Sequence, residues 1–149
     1  MFKESPTIKL EQNLPNDQEL ERFVINHYPF KKSSHTEDEI LDNAFNDMRK
    51  IIRKDGKEMQ GVLSYNIETD KNEEKYIEIG IILVAEDFRG DGLSEEMWEE
   101  LKNIAKNEKC SYITATADTI EGKNLLEKFE FYEDDDPITG FSFYRFDLE

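Results

Sequence analysis

Cysteine is almost absent: Cys110 is the only one in 149 residues. A lone thiol cannot close an internal disulfide, which excludes a cross-linked secreted scaffold and predicts a reducing, cytoplasmic setting. Cys110 falls between a helical pattern and an apolar strand, so it is expected to be a small buried thiol rather than a nucleophile. No apolar run approaches the roughly 20 residues of a membrane span, so no membrane partner is expected. The first residues, Met1-Phe2-Lys3-Glu4-Ser5-Pro6, lack the apolar core of a signal peptide, and no leader is expected. No internal repeat is visible. Positive charge is scarce, with 19 basic residues against 35 acidic ones and a net charge of -16. Such a surface repels nucleic acid and attracts cations. It is read first as a solubility feature, and beyond that as suited to a cationic acceptor such as a polyamine, an aminoglycoside-like molecule or a lysine-rich peptide.

What is present suits one domain, 1–149, with a real core: 37% of residues are hydrophobic and 11% aromatic. Thr7 to Leu10 reads as a short first strand. Asn16 can cap a helix carrying Leu20, Phe23, Val24 and His27, which Pro29 ends, with His27 packed at the helix end. Thr36, with Glu39 three residues on, forms a capping box before a second helix striped by Ile40, Leu41, Ala44, Phe45 and Met48. Asp55-Gly56 predicts the turn of a hairpin between Lys50–Arg53 and Glu58–Ile67. Tyr76 to Val84 is a long strand whose odd positions, Ile77, Ile79, Ile81 and Leu83, are all apolar. Apolar residues on both faces predict a central strand, which makes the carboxylate of Glu78 conspicuous.

Arg89-Gly90-Asp91-Gly92-Leu93-Ser94 follows at once and opens a helix in which Leu93, Met97, Leu101 and Ile104 recur at helical spacing. Strand, glycine turn and helix start leave backbone N–H groups unpartnered, where the helix dipole favours an anion. Ser111 to Thr116 reads as a strand and Ile120 to Phe129 as a helix. Phe131-Tyr132 and Phe141 to Leu148 read as terminal strands, joined by an acidic loop, Glu133 to Pro137. Only the two strands flanking the Leu93 helix need be parallel.

This order and its glycine turn resemble the GNAT superfamily of acetyl-CoA-dependent N-acetyltransferases. The family's signature is Arg or Gln, two residues, Gly, one residue, then Gly or Ala; Arg89, Gly92 and Ser94 take those places. Leu126-Glu127-Lys128-Phe129-Glu130-Phe131 is similar to the family's Tyr-Glu-Lys-Leu-Gly-Phe segment. The resemblance is specific from Tyr76 to about Tyr132. It implies an α/β fold of the α+β type, with a mixed, mostly antiparallel sheet of about seven strands and about four helices. It also implies acetyl-CoA as co-substrate and no metal. The cofactor contacts it implies are Ile82, Leu83 and Val84 on the strand, Arg89, Gly90, Asp91, Gly92, Leu93, Ser94 and Glu95 at the turn, and Thr119 near the next helix start. Amine-site walls would come from the first two helices, with Tyr28, Phe30 and Tyr65 as aromatic candidates. Terminal strands such as Phe141 to Leu148 pair across dimers in this family, so a homodimer is expected on that ground.

The resemblance also implies a reaction in which a primary amine attacks the thioester directly. Glu78, four residues before Ile82, takes the place of the family's glutamate base, and burial beside Ile77 and Tyr76 would raise its pKa. Backbone N–H groups of Leu83 or Val84 would hold the oxyanion. Gly80 would permit a bulge or a close approach. Leu126 stands where the family often has a proton-donating tyrosine, leaving Tyr132 or water as the acid. Glu95 and Glu96 stand beside the expected phosphates, where their charge works against anion binding. Two other readings of the chain are an acyl-CoA-binding protein without transfer activity and an acidic interaction protein or nucleic-acid mimic.

Overall fold

The computed structural model describes residues 17–46 and 48–148. The strand expected over Thr7 to Leu10 and the cap expected at Asn16 lie outside them. Two helices come first, α1 (Asp17–His27) and α2 (Glu37–Phe45). Three strands follow, β1 (Arg49–Asp55), β2 (Glu58–Thr69) and β3 (Lys75–Val84), then α3 (Leu93–Asn107) and β4 (Tyr112–Ala115). The rest is α4 (Ile120–Lys128), β5 (Tyr132–Asp135) and β6 (Ser142–Asp147). The described strands form one six-stranded sheet in the order β1-β2-β3-β4-β6-β5. Only β3 and β4 run parallel, as their helical crossover requires.

Local signals explain most elements. Thr36 and Glu39 exchange hydrogen bonds as a reciprocal capping box at the start of α2. Gly56, at φ +61°, turns the β1–β2 hairpin. In α3, Met97, Leu101 and Ala105 fall at four-residue intervals and are fully buried, as is Trp98 beside them. These residues pack on one face of the sheet with Leu126, Phe129 and Phe131. On the opposite face, Leu20, Phe23 and Val24 of α1 and Ile40 and Ala44 of α2 cover Val62, Ile81 and Leu83.

Three features depart from the sequence pattern. First, the β2–β3 register pairs Ser64 with Ile81 and Tyr65 with Ile79, so Gly80 is left over as a bulge. One extra residue exchanges the faces of the strand. Ile77 and Ile79 enter the α3-side core, whereas Ile81 and Leu83 enter the α1/α2-side core. The odd positions therefore do not share a face. Second, the acidic run Glu133-Asp134-Asp135 is strand rather than loop. It is an edge strand, where charges are tolerated and discourage further pairing. Third, β6 has β4 on one side and β5 on the other. The strand expected to pair across a dimer therefore has no free edge.

Helix α4 ends in a Schellman motif. Phe131 N–H donates to Leu126 O at 3.0 Å and Glu130 N–H to Glu127 O at 3.0 Å. Glu130 sits at φ +72°, in the left-handed region that favours glycine. A glycine is usual at this point of the family segment that residues 126–131 resemble. Glu130→Gly is expected to stabilise the fold by about 1 kcal/mol, or about 2–4 °C in Tm, because the left-handed conformation costs a side chain that much. Thermal unfolding followed by circular dichroism checks this, and a fall in Tm would mean that Glu130 makes a compensating contact. Helix α3 ends in the same way, with Lys109 at φ +61° and Cys110 N–H on Ala105 O at 2.9 Å. The Cys110 thiol is buried in the core, and that burial pushes its pKa up, as an inert thiol should show.

Candidate active site

The parallel pair β3–β4 is short. It pairs Tyr76 with Tyr112, Ile77 with Ile113 and Glu78 with Thr114. Beyond Glu78 and Thr114 the two strands part. The β4-facing backbone groups of β3 from Ile79 onward, apart from Val84 O, are thereby left open to a ligand, since buried peptide groups otherwise need partners. A cavity of about 740 Å³ fills the wedge. One end reaches Arg89, Ser94 and Gly122; the other reaches Glu78, Asp42, Asn46 and Met48. Ile82, Leu83 and Val84 form one wall, and Ala115 to Thr119 the opposite one.

At the first end, Gly92 is the N-cap of α3 at φ +85°, with no side-chain hydrogen bond to the first turn. Gly90 stands at φ +89°, and a Cβ at either glycine would meet nothing within 4 Å. Both glycines are thus required by conformation, and the space outside them is open. The uncapped helix start suits an anion. Gly90, Asp91, Gly92, Leu93 and Glu95 form the turn around Ser94 without lining the cavity themselves. The glutamates that would repel an anion there are offset. Glu95 pairs with Lys128 at 3.3 Å, and Glu96 with Arg53 at 3.3 Å. Arg89 folds back, its Nε donating to Val84 O and its Nη2 to His27 O, each at 3.0 Å. It ties the end of β3 to the end of α1. Thr119 is the N-cap of α4 and accepts from Gly122 N–H at 3.0 Å.

At the other end stands Glu78. Strand alternation places it on the face away from Ile77, exposed to the cavity rather than buried beside its neighbours. Among the described residues it has no ion pair or hydrogen bond. Desolvation by its surroundings, and then the charge of Glu68, hold its carboxyl above the usual range. An unpaired carboxylate with a raised pKa at a cavity mouth can accept a proton near neutral pH.

The other expected catalytic residue is elsewhere. Tyr132 lies on the outer strand β5, 45% exposed, with its hydroxyl donating to Asp147 Oδ2 at 2.6 Å. It does not line the cavity, because β6 inserts between β4 and β5. Leu126 is buried in the α3-side core and carries no proton. Of the expected aromatic walls, only Tyr28 lines the cavity; Phe30 packs into the α1/α2-side core and Tyr65 into the α3-side core.

Sequence reasoning missed Asp118. Its carboxylate accepts from Tyr28 Oη at 2.9 Å, from Ser33 Oγ, and from Ser34 Oγ at 3.2 Å. Burial acts to raise its pKa, but the hydrogen bonds from Ser33, Tyr28 and Ser34 outweigh that and hold it low. Its partners lie 84 to 90 residues away in the chain, so no local pattern signals it.

Residues 17–131 match the family model described as "Acetyltransferase (GNAT) family". The chain belongs to this family of acetyltransferases and is an acyltransferase of the GNAT type. Solved structures share the fold. An acetyltransferase of the GNAT family from Staphylococcus aureus Mu50 is 13% identical, with a TM-score of 0.67 over 89% of this chain and 93% of that one. An acetyltransferase from Thermus thermophilus is 16% identical, with a TM-score of 0.62 over 89% and 90%. A ribosomal-protein-alanine N-acetyltransferase from Brucella melitensis biovar Abortus 2308 is 14% identical, with a TM-score of 0.60 over 76% and 83%. At these identities the likeness concerns the fold alone. No curated protein matches the sequence.

Proposed function

We propose that this chain moves an acetyl group from acetyl-CoA to a primary amine, of a small cationic molecule or a peptide, by direct attack. The observation that carries the reading is a single cavity joining the uncapped start of α3 to the unpaired carboxylate of Glu78 along an open strand edge. The residues fit such a donor. Successive N–H groups around Gly92 and Ser94 suit a pyrophosphate. The open edge of β3 at Ile82 to Val84 suits the amides of a pantetheine arm. Acetyl-CoA supplies the activated thioester.

Glu78 then takes the proton that the attacking amine must lose. The backbone N–H of Val84 stabilises the oxyanion, since that of Leu83 faces β2. With Leu126 apolar and Tyr132 on the outer strand, the proposal gives no side chain the acid's role and leaves that proton to water. The net charge of -16 speaks for a cationic acceptor and against nucleic acid as a partner. A peptide acceptor has a parallel in the Brucella protein, whose name specifies a ribosomal-protein alanine. A reducing cytoplasm belongs to the same proposal, given the single buried thiol.

Thermal shift tests the donor. Saturating acetyl-CoA, at about 100 times Kd, is expected to add about 2.7 kcal/mol of stability and raise Tm by several degrees. No shift with acetyl-CoA or any longer acyl-CoA removes the proposal. Turnover confined to neutral or acidic acceptors would remove its cationic part.

A further inference from the structure

The α1–α2 loop crosses the wedge between β3 and β4 and closes on the far wall. Tyr28, Ser33, Ser34 and His35 converge on Asp118, which sits just beyond the end of β4. Ser34 N–H also points to Asp118 Oδ1, at 3.4 Å, and His35 Nε2 lies 3.7 Å from the same oxygen. The Asp118 side chain is only 16% exposed. A second link, Lys32 to Glu121 at 2.7 Å, has both side chains more than half exposed. An exposed ion pair of this kind contributes little. Several charge-assisted hydrogen bonds to one largely buried carboxylate contribute much more. The crossing is therefore held by Asp118.

The consequence is topological. Tyr28, Lys32 and His35 line the cavity from the loop side, while Val84 and Leu125 line it from the sheet and helix side. The loop thus roofs the wedge, whose lining runs from Ser94 to Glu78 and Asp42. A long flexible donor held along β3 lies beneath the roof. It must be threaded end-on, or the loop must lift from Asp118.

We propose that Asp118 is a positioning residue that latches the α1–α2 loop over the donor, and that release of this latch sets the rate of donor exchange. The proposal rests on the acetyl-CoA reading above. Asp118 holds no reacting atom; it acts through the loop. Its loss should weaken retention of the donor more than it disturbs use of the amine.

The test is stopped-flow displacement of acetyl-CoA from the full chain, together with KM for both substrates. Asp118→Ala is expected to release acetyl-CoA about tenfold faster, as loss of several hydrogen bonds on one carboxylate implies. KM for acetyl-CoA should rise by a similar factor while KM for the amine stays within about twofold. Ser33→Ala removes one donor to the latch while Tyr28 and Ser34 still hold the carboxylate, and should give a smaller change in the same direction. It decides the matter if Asp118→Ala does not fold. Release unchanged in Ser33→Ala and in a folded Asp118→Ala, or both KM values rising together with a fall in Tm, overturns the latch. Failure of the wild-type chain to bind acetyl-CoA at all overturns the donor reading first, and the latch with it.

Discussion

Glu78→Gln is expected to cut acetyl transfer by about 10²–10⁴-fold, the usual contribution of a positioned general base. The amide keeps the shape of the carboxylate but cannot take the proton. KM for acetyl-CoA should change little, because the change lies at the opposite end of the cavity from Ser94. In the wild type, kcat/KM should climb with pH through the raised pKa of Glu78, since the ionised form is the base. That limb should vanish in the variant. An unchanged rate across pH would take Glu78 out of the reaction.

Stability should move the other way. The folded pKa of Glu78 is raised, so its stabilising contribution is present below the unfolded carboxyl value of about 4.3 and is lost as pH rises through the folded value. At neutral pH the charge is a burden on the fold. Glu78→Gln should then raise Tm slightly, on the order of 1 °C, with the gain fading at low pH. Loss of activity with a small gain in stability marks a functional carboxylate. A structural salt-bridge partner would lose stability instead.

Trp98→Ala is expected to cost about 3–5 kcal/mol, or on the order of 10 °C in Tm. Trp98 is 3% exposed. It stacks on Phe129 at 5.4 Å, lies tilted against Phe131 at 5.0 Å, and meets the edge of Phe146 at 5.0 Å. Removing it opens a cavity and also breaks aromatic pairs worth about 0.5–1.5 kcal/mol each beyond burial. These pairs join α3 to the segment following α4 and to β6, so the same change should loosen the helix whose first turn carries Ser94 at the cavity. Trp98→Phe keeps one ring in place and should lose markedly less. Equal losses in the two variants, read by thermal unfolding, would contradict this account of the cluster.

Much of the fold was legible because its signals are local. Thr36 and Glu39 sit three residues apart and cap α2 by themselves. Asp55-Gly56 turns the hairpin between β1 and β2, whose register slips once, between Arg53 and Lys54. Met97 and Leu101 mark the buried stripe of α3 one turn at a time. The glycine turn was legible for the same reason, since a positive φ before an uncapped helix is written into Gly90 and Gly92. Where one residue serves two distant segments, the reading failed. Tyr132 follows directly on the family-like segment, yet β6 intervenes and carries it to the outer edge.

By itself the sequence determined the order of the described elements, the apolar stripe of α3, the glycine turn at its uncapped start and the presence of an unusual carboxylate on β3. These follow from periods of 2 and 3.6 residues and from turn chemistry, which act over a few neighbours. Only the tertiary structure decided that Gly80 is bulged, so that the two halves of β3 face opposite cores. It alone decided that β3 and β4 separate after three pairs, opening the cavity, and that Asp118 meets a loop more than 80 residues away. A strand's alternation specifies which residues share a face only while the register is unbroken. Where the register slips, and which distant segment fills the gap, is settled by packing across the whole sheet.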